Sequence, residues 1–181
     1  MNNKTFGIGI IGCGLVGKKR SISLGDRGKI IACADINNNR AKLIAEETNS
    51  KVFLDWRELL KLPEIEIVII STSHEFLTQI TIEAINSGKH ILVEKPAARF
   101  SKELEEVIEA SKKSNVKIHV GFNHRYHRSL IKAKKIIESG DLGELMFIRG
   151  RYGHGGRSGY EKEWRAKPEI SGGGELIDQG S

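Results

Sequence analysis

Short apolar runs alternate along this chain with longer stretches in which apolar residues recur every three or four positions, and the rhythm holds from residue 6 to about residue 121. A short apolar run bounded by glycine or polar residues predicts a strand, whereas recurrence at i, i+3 and i+4 predicts a helix with one buried face. Strands are therefore expected at 6–11, 30–34, 52–53, 65–70, 90–93 and 116–120. Helices are expected from Lys18, over 37–49, over 56–60, through Leu77, Ile80 and Ala84 up to Gly88, and from Ser101. Ser101 can cap that last helix, with Leu104, Val107 and Ile108 turned inward. The run from Ile65 to Ile70 is apolar except at Glu66, as suits a strand covered on both faces. Alternating strands and helices predict an α/β Rossmann domain over 1–121, a doubly wound parallel sheet.

After residue 121 the pattern changes. Leu130, Ala133 and Ile137 predict a helix that ends at Gly140, and Leu145 to Tyr152 alternates so that Arg149 and Arg151 share one face of a strand. A polar, aromatic and glycine-rich stretch follows from Gly153 to Gly174, and Glu175 to Asp178 reads as the opening of another helix. A single long strand has no partners with which to form a sheet. Residues 122–181 thus read as the truncated start of an α+β domain with an open antiparallel sheet, and the chain as a fragment of a longer protein.

Composition narrows the class. Apolar residues make up 39% and charged residues 29%, the balance of a folded soluble protein. No apolar run approaches the roughly 20 residues needed to cross a bilayer. The N-terminal apolar segment leads straight into glycine-rich turn chemistry, unlike a signal peptide, so a cytoplasmic location is expected. Two cysteines, Cys13 and Cys33, give neither a disulfide framework nor a metal-ligand spacing, and they read as reduced structural thiols. The formal charge of +6 is spread over many helices, and Lys132, Lys134 and Lys135 read as a solvated face, which argues against a nucleic-acid partner.

The first strand runs into Gly12-Cys13-Gly14-Leu15-Val16-Gly17 and then a helix. In that order Gly12 makes the tight turn, Gly14 lets phosphates approach the backbone, and Gly17 lets helix and strand pack closely. The N–H groups that open the helix face the anion. The second strand ends in Asp35, 18 residues after Gly17, about where an acid meets the adenosine ribose hydroxyls. Asp35 could instead cap the next helix, a role for which Asn37 is equally suited. A carboxylate there would repel a 2′-phosphate, so NAD is expected over NADP, with Arg40 near enough to leave NADP possible.

The segment Gly88-Lys89-His90-Ile91-Leu92-Val93-Glu94-Lys95-Pro96 resembles the GKH…EKP signature of the glucose-fructose oxidoreductase and inositol dehydrogenase (Gfo/Idh/MocA) family. The similarity continues through Gly121-Phe122-Asn123-His124-Arg125-Tyr126, Gly140-Asp141-Leu142-Gly143-Glu144 and Gly172-Gly173-Gly174-Glu175-Leu176-Ile177-Asp178, in order over nearly the whole chain. The resemblance implies an NAD(P)-dependent oxidoreductase acting on a secondary alcohol of a sugar, nucleotide sugar or cyclitol, with homo-oligomers expected of the full-length protein. It implies catalytic roles for Lys95 and Asp178, and a histidine four residues after that Asp, at position 182. It also implies cofactor contacts from Glu94 and Lys95. Read alone, Lys95 could be a surface lysine and Asp178 an acid favoured by a helix dipole. Pro96 is expected to hold Lys95 in extended geometry.

The family's Thr-Pro-Asn type turn after the fourth strand is replaced here by Ser71-Thr72-Ser73-His74. Ser71 and Thr72 can still meet the cofactor through backbone and hydroxyls, whereas His74 reads equally as a ligand or a helix-start residue. Asn123, Arg125, His154, Arg157, Tyr160, Trp164, Arg165 and Asp178 are candidates for the substrate side, rich in donors and flat apolar faces suited to a polyhydroxylated ring. Tyr160 and Trp164 could equally pack an interdomain surface. No metal is expected. Two other readings stay open: a non-catalytic NAD-binding regulatory or sensor protein, and a redox-neutral glycosidase or epimerase that uses bound NAD.

Overall fold

A computed structural model describes residues 4–151, 153, 158–174 and 177. Six strands, β1 (Phe6–Ile11), β2 (Gly28–Ala34), β3 (Lys51–Phe53), β4 (Ile67–Ile70), β5 (His90–Val93) and β6 (Ile118–Val120), form one sheet in the order β3-β2-β1-β4-β5-β6. Every pairing is parallel. Parallel neighbours need a crossover between them, supplied here by helices α1 (Leu15–Ile22), α2 (Asn38–Thr48), α3 (Trp56–Leu60), α4 (His74–Asn86) and α5 (Ser101–Lys112). The chain order reverses between β1 and β4, and the crevice beyond their carboxyl ends is where such sheets bind ligands.

Apolar side chains fill both faces. Ile8, Ile10, Ile30, Cys33, Ala41 and Ile44 pack β1 and β2 against α2. Ile70, Leu77, Ile80, Ala84, Val93 and Val107 build the opposite layer with α4 and α5. Ile10, Val68 and Ile70 have no exposed surface, which is why these strands read as nearly unbroken apolar runs. Lys89 is buried as well: its Nζ donates to the carbonyls of Leu62 and Ile65 at 2.8 and 2.9 Å. Burial pushes its ammonium below the ordinary lysine range, with Glu64 opposing.

Three expectations are corrected. Ser101 does not cap α5. Phe100 is the N-cap, and the Glu103 carboxylate, at the third helical position, accepts the Arg99 N–H at 2.8 Å. Phe100 offers the first turn no side-chain acceptor, and the Glu103 carboxylate reaching back fixes the chain that enters the helix. Only Val107 of the three apolar α5 residues is buried, while Leu104 and Ile108 stay 40% and 44% exposed. Finally, no strand forms from Leu145 to Arg151. No strand among the described residues lies beside this stretch, and an alternating segment without a ladder partner leaves its backbone to water.

Beyond β6 lie a 3-10 turn at Asn123–Tyr126 and helix α6 (Arg128–Glu138), none of whose side chains is buried. Residues 158–174 return to the Rossmann domain through 3-10 turns at Tyr160–Lys162 and Trp164–Ala166 and a short helix, α7 (Pro168–Ser171). Among the described residues, no helix is long and apolar enough to cross a membrane.

Candidate active site

The crevice is a cavity of about 800 Å³ floored by Ile11, Gly12 and Ala34 and walled by residues of β2, α1, α4, the β5 end and the returning segment. Its glycine turn divides the labour among three residues. Gly12 has φ +89°, and a Cβ there would lie 2.6 Å from the Ser71 carbonyl carbon. A Cβ on Gly17 would lie 2.1 Å from the Gly12 oxygen, so α1 is seated directly on the turn. A Cβ on Gly14 would meet nothing within 4 Å, which leaves open space in front of the first N–H groups of α1. Gly14, Leu15 and Val16 line the cavity. This bare helix start fits the pyrophosphate of a dinucleotide.

Cys13 is the buried, unbridged thiol that its place in the sequence suggests, and it does not line the cavity. Its side chain is buried, with Sγ 3.6 Å from the Ala34 carbonyl, and its N–H already donates to Asp35 Oδ2 at 2.7 Å. A hydrogen bond with the Cys33 thiol, burial and the Asp35 charge together push the Cys13 thiol far up, so it stays protonated. Asp35 Oδ1 accepts the Asn37 N–H at 2.7 Å, while Asn37 is the residue that caps α2. Both carboxylate oxygens are thereby fixed at the cavity wall, each with acceptor capacity left over. Arg40, Ile36, Leu54 and Trp56 share this end.

Ser71 is pulled into supporting the turn. Its hydroxyl donates to the Gly12 carbonyl at 2.7 Å, so its side chain serves the glycine loop before any ligand. Thr72 lines the cavity with its hydroxyl 3.2 Å from the Ser73 carbonyl. His74 opens α4, is 3% exposed, and lines the same cavity.

At the other end stand Glu94 and Lys95. Lys95 and Pro96 are the central residues of a turn: the Ala97 N–H donates to the Glu94 carbonyl at 3.0 Å around a cis Lys95–Pro96 peptide. Glu94, 8% exposed, accepts from Arg20 Nε at 2.5 Å and pairs with Arg20 Nη2. Arg20 Nη2 also donates to Asn123 Oδ1 at 2.6 Å. A Cβ at Gly121 would lie 3.1 Å from both Arg20 Nη2 and Glu94 Oε2, so the ion pair packs closely against this glycine. Arg20 was not anticipated, although its spacing held a signal. It lies three residues after Gly17, on the face of α1 that Gly17 presses against the sheet.

Tyr160, Trp164 and Arg165 line the cavity as expected, the Arg165 guanidinium stacked 4.4 Å over the Trp164 ring. Asn123 and Arg125 do not line it. Both are exposed, and Asn123 is engaged by Arg20. His154, Arg157 and Asp178 lie outside the described residues.

Comparison with known proteins agrees with this geometry. Residues 6–122 match the model of the oxidoreductase family with an NAD-binding Rossmann fold (GFO_IDH_MocA), and residues 130–181 match a GFO/IDH/MocA C-terminal domain. An inositol 2-dehydrogenase of Salmonella paratyphi B is 29% identical over 82% of this chain and 46% of its own length. A levoglucosan dehydrogenase of Pseudarthrobacter phenanthrenivorans is 30% identical over 97% of this chain and 48% of its own. A solved levoglucosan dehydrogenase in complex with NADH and levoglucosan superposes with a TM-score of 0.90 at 29% identity, covering 98% of this chain and 51% of that one. The chain thus spans about half the length of the relatives it matches. Sheet order, glycine turn and family match together establish that the chain belongs to the Gfo/Idh/MocA oxidoreductase family.

Proposed function

We propose that this protein is an NAD-dependent dehydrogenase that oxidises a secondary alcohol of a sugar or cyclitol, nucleotide sugars included. One observation carries the reading: a single cavity joins the bare start of α1 and the fixed Asp35 carboxylate to Lys95 and to the Tyr160, Trp164 and Arg165 wall. The open face of Gly14 and the N–H groups of Leu15 and Val16 would take the pyrophosphate. Asp35 would accept the adenosine ribose hydroxyls, with Ile36, Leu54 and Trp56 offering apolar surface to the base. Thr72, Glu94 and Lys95 would meet the nicotinamide end. When bound, NAD supplies the acceptor for the hydride that leaves the substrate carbon.

Lys95 would hold the alcohol oxygen through its ammonium, stabilising negative charge as the hydroxyl proton leaves. Asp178 would bind a substrate hydroxyl or orient the base, which the family pattern assigns to position 182. Tyr160, Trp164 and Arg165 would bind the polyol through stacking and donated hydrogen bonds. Asp35, locked by two backbone N–H groups, cannot swing away from a 2′-phosphate, which favours NAD, although Arg40 keeps NADP as a comparison. Two buried, unbridged thiols support a cytoplasmic home. We further propose a division at about residue 121 between the cofactor domain and a substrate domain, assembly into homo-oligomers, and no nucleic-acid partner.

The test is NADH absorbance with inositols, levoglucosan and other sugars as substrates, in the presence of NAD or NADP. Lys95→Met is expected to lower turnover by at least about a hundredfold with NAD affinity retained. Full turnover in that variant would overturn the catalytic role of Lys95, and substrate conversion without NADH accumulation would replace oxidation by redox-neutral chemistry.

A further inference from the structure

The returning segment 158–174 brings Tyr160, Trp164 and Arg165 to the cavity, and directed polar contacts tie it to the Rossmann domain. Ser171 has no exposed surface, and its carbonyl lies 2.9 Å from Nδ1 of His74. A carbonyl can only accept, so Nδ1 carries the proton and donates. The same imidazole meets the Trp164 ring edge-on, with centroids 4.7 Å apart and planes at 78°. Nearby, Arg99 Nη1 donates to the Glu169 carbonyl at 2.5 Å, and Gly172, at φ +88°, packs so closely that a Cβ would lie 2.8 Å from that of Arg99.

From this geometry we infer that His74 is a positioning residue: it fastens the substrate wall to the cofactor domain and so sets where Trp164 and Arg165 stand relative to Lys95. The location explains the reach. His74 is the first residue of α4, directly beyond the carboxyl end of β4, so one ring can line the cavity and bond backbone from 97 residues away. Its N–H fixes the segment's backbone, and its ring fixes the angle of Trp164. Arg165, stacked on Trp164, follows that angle. The effect on substrate rests on the dehydrogenase reading, whereas the fastening itself does not.

The two are separated by limited trypsin digestion alongside kinetics. Lys162 and Arg165 are the cleavage sites within the wall, and Lys42 and Lys112, exposed on α2 and α5, report the Rossmann domain. His74→Phe keeps a ring and loses the donor. Cleavage after Lys162 and Arg165 is expected to rise about tenfold with Lys42 and Lys112 unchanged. His74→Asn restores a donor at the position of Nδ1 and should recover much of the protection. Gly172→Ala, outside the Rossmann core, should expose the same two sites by clashing with Arg99. In the kinetic arm, His74→Phe should raise KM for the polyol by about tenfold, with NAD affinity within about twofold, and His74→Asn should reverse part of that rise. The inference is overturned if His74→Phe or Gly172→Ala leaves cleavage at Lys162 and Arg165 unchanged. It is also overturned if His74→Asn cleaves as fast as His74→Phe, or if Lys42 and Lys112 are released equally. Changed cleavage with no polyol turnover in any form, wild type included, would instead retire the dehydrogenase reading and leave the fastening intact.

Discussion

Two stretches beyond the sheet end in opposite states, and the more apolar one is the one left bare. Helix α6 and residues 142–148 carry Leu130, Ile131, Ile137, Leu142, Leu145, Met146, Phe147 and Ile148, yet Met146, Phe147 and Ile148 remain 90%, 79% and 78% exposed. Residues 158–174 are polar and glycine-rich, yet Ser171 is fully buried and Trp164 and Arg165 are half-buried. Apolar area drives burial only where a complementary surface is within reach. Residues 158–174 have such a surface in His74 and Arg99, which satisfy their backbone carbonyls.

The contrast is sharpened most by one kind of truncation at two depths. Ile70 in β4 has no exposed surface and packs in the core layer with Leu77, Ile80 and Val93. Ile70→Ala should destabilise the fold by about 2–5 kcal/mol, because the packed sheet cannot collapse around the void. Urea denaturation followed by circular dichroism measures it. A loss under about 1 kcal/mol would mean that the sheet layer is loosely packed and the contrast false.

Arg99→Leu comes next. The side chain bonds Glu103 through Nε and Nη2 and the Glu169 carbonyl through Nη1, so its removal strips α7 of an anchor and takes the cationic partner from Glu103. A stability loss of about 1–3 kcal/mol is expected, together with faster amide exchange confined to residues 158–174. Unchanged exchange there would show that the segment holds its place without the Arg99 side chain.

These partners also mark where sequence reading stops. The strands were legible because strands buried on both faces are apolar at almost every position, as in Val68-Ile69-Ile70. Gly12, Gly14 and Gly17 were legible because a tight turn with a helix seated directly on it leaves no room for side chains at 12 and 17, and Asp35 because it closes the second apolar run. Arg20–Glu94, Arg20–Asn123 and His74–Ser171 were not, because the partners stand 74, 103 and 97 residues apart and no local period links them. The strand expected at 145–152 is missing from its described residues, 145–151, for a related reason. Alternation states which face would be buried, whereas a ladder needs a neighbour that local pattern does not name.

Acid should act on the docked side through Glu103. Burial works to raise the Glu103 carboxyl, but its bonds from Arg99 outweigh it and leave the group below the ordinary glutamate value of 4.5. A carboxylate lowered in the folded state contributes stability that is complete above the unfolded value and is lost as pH falls through the lower folded one. Unfolding free energy should therefore decline below about pH 4.5 more steeply in the wild type than in Glu103→Gln. At neutral pH that variant should cost about 0.5–1 kcal/mol, limited by solvent screening of the pair. Parallel acid profiles would remove Glu103 from the account of how the α5 start and Arg99 are held.

The smallest effect belongs to the bare stretch and is the sharpest way to break the contrast. Ile148 is 78% exposed and belongs to no helix or strand, so its side chain has almost nothing to lose on truncation. Ile148→Ser in this chain should change stability by less than about 0.5 kcal/mol and raise solubility by shrinking an apolar patch. Denaturation midpoints measured at several protein concentrations provide the check. A loss above about 1 kcal/mol that is independent of concentration would mean that Ile148 is packed within its own chain. A loss that grows with concentration would mean that the patch is covered by a second copy. Either result would make burial on the two sides of residue 153 alike in kind, and the difference would then lie in which surface does the covering.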